Sequence, residues 1–187
     1  MNYLANIYLI RHCEAEGQPP EAALTERGEF QAQVLAEFLS DVRIDRILSS
    51  PFKRAVDTIH PLATKLAIEV EVEDRLSERV LSTVNLPDWF EKLKLTFDEL
   101  DLKFEGGESS QEAMNRIADV VEEVFSGDAQ NTIIVSHGNL LSLLIKHFQP
   151  NFGFEEWGKL SNPDVYLLKK ESNKVTLERI WNSHNGH

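Results

Sequence analysis

Ile7-Tyr8-Leu9-Ile10-Arg11-His12, an apolar run that stops on an arginine and a histidine, is the stretch on which the fold turns. A strand apolar on both faces belongs at the centre of a parallel sheet, because helices cover it from both sides. Ending it on Arg11-His12 sets a permanent cation beside an imidazole at the sheet rim, where α/β folds place their ligands. The pattern recurs downstream. Ile133-Ile134-Val135 leads into Ser136-His137-Gly138, and Ser49-Ser50-Pro51-Phe52-Lys53-Arg54 follows another short apolar run. Two arginines and two histidines beyond successive strands imply a pocket shaped for a phosphoryl group.

Outward from these motifs, hydrophobic periodicity predicts strands at 6–10, 46–49, 69–73, 132–136, 166–169 and 176–181, the last two joined by a turn at Glu171–Lys174. Thr25 caps a predicted helix that carries Phe30, Val34, Leu35, Phe38 and Leu39 on one side. Ser109 and Glu112 read as a capping box, with Ala113, Ile117, Val120, Val121 and Val124 at helical spacing behind it. A third helix is expected from Pro51 towards Leu66, bent or interrupted near Pro61. Alternating strands and helices make this an α/β chain. The region 81–107 breaks the alternation with Pro87, Trp89, Phe90, Phe97 and Phe104 among charged residues. It reads either as a partly helical lid or as a packing excursion.

The chain has 187 residues, 42% of them hydrophobic and 27% charged, which suits one soluble domain spanning 1–187. No stretch matches the roughly 20 apolar residues of a membrane span, and residues 1–6 lack the features of a signal segment, so a cytoplasmic protein is expected. A lone Cys13 fits a reducing compartment. The net charge of −12 argues against nucleic-acid or anionic-membrane partners, since phosphate backbones would be repelled. It leaves room for a small phosphate ester held by a few focused arginines.

The chemistry assigns itself by residue type. A neutral imidazole, His12, can attack phosphorus, while Arg11 and Arg54 grip the non-bridging oxygens with forked donors. His137 can add a donor, and the helix after Gly138 can turn its first amides towards the anion. Taken singly, each residue has a plainer structural reading; the ordered set is what points to catalysis. Neither a metal-ligand cluster nor a nucleotide-binding glycine loop is visible, so neither a metal nor a cofactor is expected.

With these motifs in order, the chain resembles the histidine phosphatase superfamily in its phosphoglycerate-mutase-like branch, branch 1, and within it the compact phosphatase type. Leu24-Thr25-Glu26-Arg27-Gly28, Ser49 to Thr58, Leu76-Ser77-Glu78 and Gly106-Gly107-Glu108-Ser109 carry the likeness together with Arg11-His12 and Ser136-His137-Gly138. The resemblance implies a three-layer α/β/α sandwich around a mainly parallel mixed sheet, with 81–107 as a helical lid insertion. It implies that His12 forms a phosphohistidine, that Arg11, Arg54 and His137 bind phosphoryl oxygens, and that Glu78 protonates the leaving alcohol and then activates water. Gln18, six residues after His12, matches a position where related mutases carry a phosphate-binding asparagine.

Several departures narrow the function. The family's usual glycine after the nucleophile is Cys13 here. A Cys-x5-Arg phosphatase loop is absent, because the residue six beyond Cys13 is Pro19. The mutase sequence Glu-Arg-x-Tyr-Gly gives way to Glu78-Arg79-Val80-Leu81-Ser82, and the segment 98–105 is acidic where mutases carry a basic insertion. A phosphomonoesterase is therefore preferred. The alternatives are a cofactor-dependent phosphoglycerate mutase and a phosphate-binding or protein-interaction module without turnover.

Overall fold

In the computed structural model, which describes residues 3–182, the apolar runs become a six-stranded sheet in the order β3-β2-β4-β1-β5-β6. The strands are β1 (Leu4–Arg11), β2 (Arg46–Ser49), β3 (Val70–Val72), β4 (Asn131–Ser136), β5 (Asp164–Glu171) and β6 (Lys174–Arg179). The first four run parallel, while β5 pairs antiparallel with β1 and β6 antiparallel with β5. Sequence reading located all six. The turn between β5 and β6 is Ser172-Asn173, with Ser172 at φ 54, the left-handed backbone that a two-residue hairpin demands.

Alternation along β1 explains the three layers. Ile7 and Leu9 face one side, against α4 (Ser110–Phe125) and α5 (Gly138–Phe148). Tyr8 and Ile10 face the other, against α1 (Glu26–Phe38) and α2 (Lys53–Leu66). Each central strand is thus buried twice, as its continuous hydrophobicity demanded. Two further helices, α3 (Trp89–Asp98) and α6 (Phe154–Gly158), lie on the α4–α5 side. No helix among the described residues is long and apolar enough to cross a membrane.

The caps are where sequence placed them. Thr25 Oγ1 accepts from Gly28 N at 2.9 Å, and Ser109 with Glu112 forms a complete capping box. Of the bend or interruption expected near Pro61, the interruption is not found: α2 runs through it, and Ala55, Ile59, Leu62 and Ala63 bury one face, a packing that outweighs the hydrogen bond proline removes. Phe30 does not share the buried side of α1 with Leu35: it is 56% exposed, and the buried face is Gly28, Gln31, Ala32, Leu35 and Ala36. Gly28 and Ala32 on that face let the helix lie close against the loop after β1, where a Cβ on Gly28 would stand 2.0 Å from the Glu14 carbonyl oxygen.

The region 81–107 contains α3 between two connecting segments that close on each other. Thr83 N donates to Glu105 O at 2.9 Å, and Glu108 N donates to Val80 O at 2.9 Å. Leu93 and Phe97 join the core, whereas Trp89 and Phe90 stay about half exposed. The helix is therefore anchored by one face and offers the other outward.

Candidate active site

Parallel register brings the strand ends level. Ile10 pairs with Val135 and Arg11 with Ser136, while Ser49 pairs with Val135 from the other side. His12, Ser50 and His137 consequently leave the sheet side by side, and the His12 and His137 rings sit 5.2 Å apart. Arg54, on the first turn of α2, is 2% exposed and points its Nε at His12 Nε2 across 3.2 Å. Its Nη1 donates to the carbonyls of Gln18 and Pro19, each at 3.0 Å, which holds the guanidinium in place. His12 and Arg54 border a cavity of about 160 Å³ together with Arg11, Glu78 and Gly138, and His137 lies behind the His12 ring.

The ring nitrogens of His12 have different tasks. Nδ1 lies 2.7 Å from Cys13 O, which can only accept, so Nδ1 carries the proton and Nε2 presents a lone pair. Burial pushes the His12 pKa down to about 4, and the charges of Arg54 and Arg11 push the same way against the Cys13 carbonyl. His137 is fully buried, and burial with the neighbouring His12, Arg54 and Arg11 lowers its pKa to about 2. Ser50 Oγ lies 2.8 Å from His137 Nε2 and also accepts from Phe52 N at 3.2 Å. We assign the Ser50 hydroxyl as the donor to Nε2, which leaves the His137 proton on Nδ1. That atom is buried and has no partner among the described residues, as is the case for Arg11 Nε. Orphaned buried donors of this kind fit an anion that would satisfy them.

Glu78 follows a short 3₁₀ turn, Asp74–Leu76. Its Oε1 accepts from Arg79 N at 2.8 Å and Leu140 N at 2.9 Å; its Oε2 accepts from Asn139 N at 3.1 Å. Burial raises the carboxyl pKa, against these three amide bonds and the charge of Arg11. The first amides of α5 thus serve Glu78, not the anion as the sequence had implied. An ion pair of Arg116 with Glu108 at 2.9 Å grips the same loop. Arg116 Nη1 reaches Arg75 O, and Glu108 Oε2 accepts from Val80 N at 3.0 Å.

The structure places Arg11, His12, Arg54, Glu78 and His137 around one end of the sheet, and two other candidates take different parts. Gln18 is exposed at the rim, and it is its carbonyl that meets Arg54. Gly138 gives space: a Cβ there would lie 2.9 Å from Arg11 Nε. Cys13 is fully buried beside Leu24 and Ala32, facing away from the cavity, and burial pushes its thiol up to about 12. The thiol is therefore neither near the anion site nor reactive.

Sequence reading missed Asn162, whose Nδ2 donates to His12 O at 2.9 Å, and Thr58, whose Oγ1 accepts from Cys13 N at 2.8 Å. Thr58 lay inside a recognised motif without a role; Asn162 lies in a segment with no motif at all. Beyond Glu78 a second cavity of about 370 Å³ opens, lined by Arg79, Leu81, Trp89, Leu93, Asn139 and Trp157 among others. Among the described residues no group of three or more His, Cys, Asp or Glu side chains could hold a metal ion.

A three-layer α/β/α fold with two histidines and two arginines converging at parallel strand ends defines a phosphoryl-transfer class of protein. The chain belongs to the histidine phosphatase superfamily (branch 1), matching it over residues 7–183, and is a phosphatase. It is 33% identical over 150 residues to phosphoserine phosphatase 1 of Hydrogenobacter thermophilus, covering 72% of this chain and 71% of that one. It is 28% identical over 159 residues to the probable phosphoglycerate mutase GpmB of Escherichia coli, covering 76% and 74% respectively. Among solved structures, Bacillus stearothermophilus YhfR superposes with a TM-score of 0.79 at 21% identity, covering 98% of this chain and 100% of that one. That likeness concerns the fold.

Proposed function

We propose that the protein hydrolyses small phosphate monoesters by double displacement through His12, without a metal ion. The observation that carries the proposal is the unprotonated Nε2 of His12, which accepts from Arg54 Nε at the edge of a cavity whose walls include Arg11, Arg54 and Glu78. In the first step Nε2 attacks phosphorus and the bond to the ester oxygen breaks. Arg11, Arg54 and the Nδ1 proton of His137 hold the non-bridging oxygens, where negative charge gathers. Their placement before substrate arrives means little reorganisation is needed in the transition state.

The leaving oxygen takes a proton from Glu78. Oε1 already accepts two amide bonds, so the position free for that proton is on Oε2, which accepts one. Burial raises the carboxyl pKa, which favours the protonated form that the acid must present. In the second step the Glu78 carboxylate removes a proton from water, the water oxygen attacks phosphorus, and the bond to His12 breaks. Phosphate leaves and Glu78 is protonated again.

His12→Ala, assayed with a chelator present, is expected to lower kcat/KM on an aryl phosphate by ~10⁴-fold. Rapid quenching of the unaltered protein after a pulse of ³²P-labelled substrate should trap acid-labile label on His12. Turnover by His12→Ala at the unaltered rate would overturn the proposal.

A further inference from the structure

The cavity beyond Glu78 shows what sits on the other side of the ester oxygen. It shares Arg11, Glu78 and Gly138 with the phosphate cavity, so a substrate seated in both places its scissile bond between them. Its outer walls are Leu81, Trp89, Leu93 and Trp157. Trp89 is 51% exposed, so packing of the core does not account for its position, whereas Leu93 behind it is 4% exposed and fixes α3. Phe90 touches both Phe154 and Trp157, which ties the two aromatic walls together.

Charge at this site is already committed. Among the described residues only two cations border the cavity, Arg11 and Arg79. Arg11 lines both cavities, and its Nη1 donates to Leu160 O at 3.1 Å. Arg79 is buried and uses Nε and Nη2 on Glu108 O, and Nη1 on Thr96 Oγ1 and Ser110 Oγ. Glu108 is the nearest counter-charge to it. A second anionic group on the substrate would have to share Arg11 with the phosphoryl group or meet Arg79, whose Nε, Nη1 and Nη2 are already engaged within the protein.

Resting on the phosphomonoesterase reading above, we infer that the leaving group is an uncharged alcohol carrying an apolar ring, seated against Trp89, Leu93 and Trp157. A cavity of about 370 Å³ accommodates one or two rings. Aromatic walls of this kind favour ring stacking and exclude water from the bond being broken.

The test compares primary-alcohol esters, whose leaving oxygens are of one chemical kind. For the unaltered protein, kcat/KM on 2-phenylethyl phosphate should exceed that on ethyl phosphate, O-phosphoserine and 3-phosphoglycerate by about tenfold or more. Trp89→Ala should shrink the ratio of 2-phenylethyl to ethyl phosphate by about tenfold, chiefly through KM. Trp89→Phe should restore most of it, which a merely structural role for Trp89 would not require. Preference for phosphoserine or 3-phosphoglycerate over 2-phenylethyl phosphate would overturn this inference and leave the phosphatase reading intact. Loss of all phosphate release, on every ester, would instead remove the reading on which it rests.

Discussion

Replacing Glu78 by glutamine isolates the acid in the mechanism. The amide keeps the length of the side chain and can retain both bonds at Oε1, from Arg79 N and Leu140 N. Its nitrogen then faces Asn139 N, which had donated to Oε2 at 3.1 Å. One hydrogen bond is lost, a stability cost of about 1 kcal/mol, well short of unfolding. The kinetic cost is larger and selective. Removing a positioned general acid costs about 10²–10⁴-fold, or about 3–5 kcal/mol of barrier, when the leaving oxygen needs a proton. 2-Phenylethyl phosphate has such an oxygen; 4-nitrophenyl phosphate does not, because nitrophenolate departs unprotonated. Phosphate release measured on both esters should therefore fall sharply for the first and at least tenfold less for the second. The pH profile sharpens the test. His12 must be neutral, which sets an acid limb near pH 4, and Glu78 must be protonated, which sets an alkaline limb above the ordinary carboxylate range. In Glu78→Gln the alkaline limb on the alkyl ester should vanish. Equal losses on both esters, or an unchanged alkaline limb, would refute the assignment.

Ser50→Ala removes the hydroxyl that keeps the His137 proton on Nδ1, and kcat/KM should fall on the order of tenfold; an unaltered value would refute that tautomer. Stability should fall on acidification, because His137, at about 2 when folded, lies below the ~6.5 of an unfolded histidine. The unfolded chain binds that proton first, so the contribution is full above about pH 6.5 and is lost as pH falls, by ~2 kcal/mol at pH 5. Glu78 works in the opposite direction, since its raised folded pKa costs stability as pH climbs past the unfolded carboxylate value. Urea unfolding at pH 7 and pH 5 should thus show a shallower decline in His137→Gln than in the unaltered protein; identical slopes would contradict the burial argument. Gly28→Ala would set a Cβ 2.0 Å from the Glu14 carbonyl oxygen and should destabilise the protein by about 3 kcal/mol in the same assay. An unshifted midpoint would show that the close approach is not required.

Much of the fold was open to reading because period and punctuation agree. The doubly apolar β1 and β4 announce their central positions, and Thr25 and Ser109 announce their helices before any contact is known. Where a single residue type had to stand for a face, the reading faltered. Phe30 reads as one side of α1 with Leu35, yet the helix buries Gly28 and Ala32 instead, because Gly28 lies against the Glu14 carbonyl where a side chain has no room.

The chemistry divides along the same line. Arg11, His12, Arg54 and His137 could be named from the chain alone, since each lies just beyond a predicted strand and parallel register must bring such ends level. Glu78 became visible only through the family resemblance, being one acidic side chain among 31. Tertiary structure alone decided that the α5 amides bind Glu78, that Cys13 turns into the core, and that Asn162 holds the His12 carbonyl. It also decided that Trp89 and Trp157, far apart in sequence, line one cavity. The physical reason is range. Strand periodicity and capping are set by neighbours within a few residues, whereas a hydrogen bond between residues 150 positions apart depends on how the layers pack, which no local pattern encodes.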